Sequence, residues 1–358
     1  MRNFEPLSEP LEKTQISLGY IPLTDCVPLV VAKEYGLFEK MGLDVELKVQ
    51  TGWATLRDRV LAGDLDGAQM LSPLLIASNS RLDHEAYRLV TGLTLSRNGN
   101  AITLAESLVR ELESIRGCRV NLPFSGSDLI PLMDARDKPL VFASVHPHSS
   151  HELLLRHWLR SIPAEYSDRW RIVVLPPVRM VDSLKSGQID GYCVGGPWNA
   201  DAVRKGLGVT VATSIDLLPE HPEKVLGVRA EWSNAYKNTH LALIRALVEA
   251  LAWLDSVPNR FEAAHLLWEK GYVDAPLDVI APSLLDSCLV RKGLYPRKVT
   301  GYNRFYGLDC NRPSIADGQN LCQQMLAYGL LNEMPTSEAI SNTYLEALFT
   351  EAVGKPLL

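Results

Sequence analysis

Leu61–Met70 reads LAGDLDGAQM and Leu184–Cys193 reads LKSGQIDGYC, the second running on through Val194–Val203 as VGGPWNADAV. Each phrase sets an apolar residue, a Gly, two residues, Asp-Gly and then an apolar run in the same order. Gly63 follows the helical pattern Trp53–Ala62 and Gly187 follows Val181–Lys185, so each glycine reads as a helix cap. The apolar runs behind Asp66-Gly67 and Asp190-Gly191 read as strands. Any αβ connection draws on this chemistry. Position adds to it, because each phrase supplies the third strand of a similar set, as in two lobes built alike.

Working outward, Gln15–Tyr20 (QISLGY) alternates as a strand. Thr24 or Asp25 caps a helix over LVVAKEYGLFEKMG, and Leu43–Val49 (LDVELKV) forms a second strand. A second round places strands at Cys118–Leu122, Val173–Leu175 and Ile189–Val194. Strands alternating with helices mean parallel sheets, with ligand sites at the strand C-terminal ends. From about Ala230 amphipathic helices take over, beginning with LALIRALVEALAWL.

With 358 residues the chain is long enough for two domains, and its 46% hydrophobic content suits a globular protein. The net charge of −6 gives no support for nucleic-acid binding. No stretch reaches the roughly 18 apolar residues of a membrane span. MRNFEPLSEPLEKTQ lacks a signal-peptide core, so the expected location is cytoplasmic. Six scattered cysteines without C-x-x-C suggest buried free thiols.

Three features converge on an anion. Ser149-Ser150-His151-Glu152 opens a helix, whose free N–H groups favour negative charge. Gly195-Gly196-Pro197 ends a strand where backbone can approach a small ligand. Trp53, behind Thr51-Gly52, brings an indole N–H donor to a strand-to-helix handover. His146, His148 and His151 share an H-x-H-x-x-H spacing, but the intervening Pro147 and the lack of an acidic cluster argue against a metal. No hydrolase elbow, phosphate loop, zincin or dinucleotide motif is present. The chain therefore reads as a binder with no cofactor, rather than an enzyme.

GYIPLTDCVPLVVAKEYGLF, GWATLRD, GDLDGAQML, NGNAITL, SSHELLLRHWL, VGGPWNADAV and HPEKVLGVRAEW, in that order, resemble the NrtA-type nitrate-binding proteins of ABC importers and their CmpA-type bicarbonate-binding relatives. The resemblance implies a two-lobed type II periplasmic-binding-protein α/β fold with the anion in a cleft. It implies lobe 1 from residues 15–100 and 225–358 and lobe 2 from 101–224. The chain would cross twice, near Asn100–Thr103 and near Lys224–Val228. The implied ligand set is Trp53, Asn100 (where nitrate binders tend to have Gln), His151, the backbone of Gly195 and Gly196, and Lys224. That set is made of donors only, as nitrate requires. Bicarbonate wants an acceptor as well, and Gly196 stands where the family often has Glu.

Without an export signal, the resemblance points to cytoplasmic NasS-type nitrate and nitrite sensors. These hold an ANTAR-domain, NasT-like antitermination regulator inactive and release it on anion binding. Two alternatives stay open. One is the solute-binding component of a nitrate, nitrite or bicarbonate importer whose leader has been removed. The other is the fold-sharing pyrimidine synthase of thiamine biosynthesis, which needs a Cys-rich iron site that this sequence lacks.

Overall fold

The structure, a computed structural model, describes residues 3–80 and 88–354. Its longer strands, in chain order, are β1 Gln15–Tyr20, β2 Asp44–Val49, β3 Gly67–Leu71, β4 Leu89–Asn98, β5 Asn100–Ala105, β6 Leu140–Ser144, β7 Trp170–Val174, β8 Gly191–Gly195, β9 Gly208–Thr213 and β10 Pro222–Arg229. The chain divides into two compact units. The first holds Met1–Arg97, His221–Asp274 and Asn303–Leu358; the second holds Asn98–Glu220 and Ala275–Tyr302.

The sheet of the first unit runs Asn303–Arg304, β4, β10, β3, β1, β2, and that of the second runs β7, β6, β8, β5, β9. Each contains the same four-strand motif. A parallel trio has its first strand in the middle, and one antiparallel strand lies against the third: β10 on β3, and β5 on β8.

The repeated phrase is the joint of this motif. Asp66 N donates to Ser17 O and Asp66 Oδ2 accepts from Ser17 N, both at 2.9 Å. Asp190 N donates to Val141 O at 2.7 Å and its Oδ2 accepts from Val141 N at 2.8 Å. Each aspartate thus grips the first strand of its trio through backbone and side chain together. The following glycine lets the antiparallel strand close in. A Cβ on Gly67 would lie 2.8 Å from Val228 Cγ1, and one on Gly191 would lie 2.9 Å from the carbonyl oxygen of Thr103. Upstream, Gly63 and Gly187 end their helices with φ of 84° and 70°.

Three expectations need correction. Cys118–Leu122 is not a strand: Val120 N bonds the Glu113 carboxylate instead of a ladder, and Pro123 follows. The first strand of the second trio is β6. The C-terminal part does not belong wholly to the first unit, because Ala275–Tyr302 packs in the second. There Thr210 N donates to Val290 O, Arg291 pairs with Glu106 and Glu113, and Cys288, Val299 and Tyr302 share a core with Ala101. Finally, Asn100–Thr103 and Lys224–Val228 lie inside β5 and β10. The unit boundaries fall at Arg97/Asn98, Glu220/His221, Asp274/Ala275 and Tyr302/Asn303, so the chain passes between units four times rather than twice. Asn98 and Glu220, beside two of these boundaries, both have φ of 63°. Asn98 ties the passages together within the second unit, accepting from Glu220 N at 2.8 Å and donating to Gly301 O at 3.1 Å.

Candidate functional site

In both units two of the candidate positions come from the same places in the motif. One source is the antiparallel strand, at the residue opposite the last residue of the third strand. In the first unit this is Lys224, paired with Leu71; in the second it is Asn100, paired with Gly195. The other source is the segment that follows the first strand. In the first unit that segment carries Asp25, and in the second it carries Ser150 and His151. Both positions lie at the carboxyl ends of the parallel strands, where side chains and helix N-termini converge.

The first unit places Lys224 and Trp53 together. Both are buried, and the Lys224 ammonium lies 5.3 Å from the centroid of the indole ring. Trp53 opens the helix Trp53–Ala62, and its Nε1–H is buried with no partner among the described residues. Leaving such a donor unpaired costs free energy that a ligand can recover.

Lys224 is not an isolated cation. Its Nζ lies 2.8 Å from Asp25 Oδ2 and donates to Glu223 Oε1. Asp25 Oδ1 accepts from Gln69 Nε2 at 2.7 Å, and His221 Nε2 lies 3.3 Å from Glu223 Oε2. Neighbours on a regular strand face opposite ways, but the β10–β4 register slips on both sides of Lys224. That bulge turns Glu223 and Lys224 toward each other. Burial works against the ammonium, yet Asp25 and Glu223 outweigh it, so Lys224 holds its proton more tightly than free lysine. Burial pushes the Asp25 carboxyl above the usual carboxylate range, and Glu223 adds to that against the pull of Lys224.

The expectation of a donor-only set without nearby acids therefore fails at Lys224. Asp25, read from sequence as a helix cap, makes no cap hydrogen bond; its carboxylate belongs to this cluster. A buried lysine written next to a glutamate was the available signal.

In the second unit Ser149 caps the helix Ser150–Leu159, its Oγ accepting from Glu152 N at 3.0 Å and donating to His146 O at 2.7 Å. His151 is wholly buried in the first turn. The helix packs on β8 and on Ser214–Leu217, and Ser214 Oγ accepts from Asn100 N at 3.4 Å. Asn100, Gly195 and the start of this helix are thereby assembled at one sheet end, with Gly196 next in the chain. Two further buried donors of this unit were not singled out from the sequence. Ser150 Oγ and Trp198 Nε1 are buried atoms without partners among the described residues. Both residues stood in the quoted motifs, but only packing shows that their polar atoms are left over.

Among the described residues no group of three or more His, Cys, Asp or Glu side chains is placed to hold a metal. His146 Nδ1 instead accepts from His148 N at 3.0 Å. Among the same residues no helix is long and apolar enough to cross a membrane. Five of the six cysteines are buried; Cys118 is exposed.

Replacing Trp53 by Phe keeps the ring over Lys224 and removes one N–H. The expected loss of anion affinity is about 1 kcal/mol, the usual net worth of one hydrogen bond. Titration calorimetry reads it, and an unchanged affinity would place Trp53 in the core alone.

The sequence profile of the NMT1-like family matches residues 9–268. The nitrate import ATP-binding protein NrtC of Synechocystis sp. PCC 6803 is 38% identical over 350 residues, which is 96% of this chain and 50% of NrtC. The nitrate/nitrite binding protein NrtA of Nostoc sp. PCC 7120 is 33% identical over 279 residues, 75% of this chain and 61% of that protein. The chain spans about half the length of the transport ATP-binding relatives it matches. The crystal structure of the periplasmic nitrate-binding protein NrtA from Synechocystis PCC 6803 superposes with a TM-score of 0.87 at 25% identity, covering 96% of this chain and 89% of that one. The alkanesulfonate-binding protein SsuA of Xanthomonas axonopodis shares the fold at a TM-score of 0.65 and 16% identity, over 95% and 99% of the two chains. The fold is that of the periplasmic binding proteins, and this chain belongs to the NMT1-like family as a homologue of the NrtA nitrate-binding proteins.

Proposed function

We propose that this protein binds nitrate or nitrite, with Trp53, Asn100, His151, Gly195, Gly196 and Lys224 as ligands. The observation that carries this reading is the unpartnered indole N–H of Trp53 beside the buried Lys224 ammonium. Nitrate is planar, singly charged and without a proton to give, so it takes donors only. An ammonium, an indole, an amide, an imidazole and backbone N–H groups match it. The likeness to nitrate-binding proteins named as such supports the choice of anion.

The finer reading is a cytoplasmic sensor, without metal or cofactor, that holds an ANTAR-domain antitermination regulator and releases it when the anion binds. The acidic balance of the chain suits a protein partner that itself binds RNA. In this reading the anion favours one arrangement of the protein and the regulator another, so each weakens the other's binding by the same factor. One observation favours a second reading. NrtC matches 350 residues here in sequence, against 279 for NrtA of Nostoc, so sequence likeness extends further along a protein named for import than along one named for binding. On that reading the chain is an anion-sensing or anion-delivering part of a nitrate, nitrite or bicarbonate importer.

Size-exclusion chromatography of the protein mixed with such a regulator separates the two. The sensor predicts a complex that dissociates under saturating nitrate or nitrite. A complex that survives both anions, or none at all, moves the assignment to the importer. Calorimetry with a chelator present should show nitrate or nitrite binding undiminished; binding lost with the chelator contradicts a metal-free site.

A further inference from the structure

We propose that nitrate enters this site together with one proton, which Asp25 takes from solvent. The inference rests on the reading that the Lys224 site binds nitrate or nitrite, and deepens it. Its basis is the charge and geometry of the cluster. Asp25, Glu223 and Lys224 are all buried, with Lys224 2.8 Å from Asp25 Oδ2 and hydrogen-bonded to Glu223. With both carboxylates ionised the trio already has one negative charge in excess, and a monoanion beside Lys224 adds another where water does not screen it. Protonating one carboxylate removes the excess.

Asp25 is the better acceptor of the two. Glu223 faces Lys224 on one oxygen and His221 on the other. Asp25 faces Lys224, the neutral Gln69 amide on β3 and the adjacent Cys26 thiol, with Tyr20 at the end of β1 next to that thiol. From the helix Trp53–Ala62 the Trp53 ring approaches Lys224. Asp25 Oδ2 lies 2.8 Å from the Lys224 ammonium and Oδ1 accepts from the Gln69 amide, so Lys224 is the charged group that holds Asp25 ionised, where Glu223 has Lys224 and His221. The upward push of burial and of Glu223 on this carboxyl acts the same way.

The step is balanced: an Asp25 carboxylate and one solvent proton give the carboxylic acid, and no bond of the anion breaks. The new carboxyl O–H turns an acceptor that repels nitrate into a donor that can bond it. Bicarbonate brings its own O–H and can donate to the same carboxylate, so it needs no added proton. Proton stoichiometry therefore distinguishes the two anions.

The test is calorimetry of the full chain with sodium nitrate at one pH, in buffers of different ionisation enthalpy such as Tris and PIPES. The expected result is uptake of close to one proton per nitrate, and none for bicarbonate if it binds. Between the pH at which Asp25 titrates in the free protein and that at which it titrates in the complex, nitrate affinity should fall by about tenfold per unit rise in pH. Asp25→Asn should take up no proton and bind nitrate with an affinity flat in pH. The wild-type measurement stands even if that variant does not fold. Nitrate binding without proton uptake, at an affinity unchanged from about pH 6 to about 8, overturns the proposal and leaves the binding site in place. Heat from neither nitrate nor nitrite at any pH overturns the binding reading itself.

Discussion

Lys224→Ala is expected to cost at least about 2 kcal/mol of nitrate affinity, the usual loss when one partner of a buried charged pair is truncated. The ammonium is the positive charge of the buried Asp25–Glu223–Lys224 cluster, and an anion placed beside Trp53 without it faces two carboxylates. The same change strips those carboxylates of their counter-charge, so the folded state should lose about 3–5 kcal/mol as well. The two effects separate by pH. With lysine gone, protonating Asp25 or Glu223 relieves the repulsion, so acidification toward pH 5 should restore part of the stability. Calorimetry on folded protein, with a denaturant melt at two pH values, reads both. A folded Lys224→Ala protein that binds nitrate as well as the parent would place the anion elsewhere.

Asp66→Ala should be the most damaging of the changes at the repeated joint, costing about 3 kcal/mol or more of stability through buried donors left unpaired. Asp66 accepts from Ser17 N at 2.9 Å, from Trp232 Nε1 at 2.8 Å and from Lys13 at 2.5 Å, and is itself nearly buried. Its counterpart Asp190 accepts from Val141 N at 2.8 Å and from Arg136 at 3.2 Å, with a side chain 26% exposed. Water can replace part of that set, so Asp190→Ala should cost less, about 1–2 kcal/mol. Urea unfolding of both variants checks the order. Equal losses would mean that the shared backbone grip, and not the additional buried partners of Asp66, sets the strength of the joint.

These joints were the most legible part of the sequence, because helix caps and Asp-Gly strand starts are local devices. The antiparallel strands were hidden. β4 reads LVTGLTLSRN and is buried throughout, so its polar residues break the apolar run without marking a solvent face. β5 and β10 are likewise buried along nearly their whole length and show no alternation. The membership of Ala275–Tyr302 in the second unit depends on Arg291 reaching Glu106 and Glu113 far back in the chain, which nothing local announces. For the candidate site, the sequence brought forward Trp53, Asn100, His151, Gly195, Gly196 and Lys224 through their motifs. It did not disclose the acids around Lys224: Asp25 lies in a helix-start pattern, and only a bulge in β10 turns Glu223 onto its neighbour.

The most direct test of the central claim is a crystal structure of the protein grown with nitrate. The account predicts the anion within hydrogen-bond distance of Trp53 Nε1 and Lys224 Nζ. Nitrate bound away from Trp53 and Lys224, or absent at saturating concentration, would contradict it.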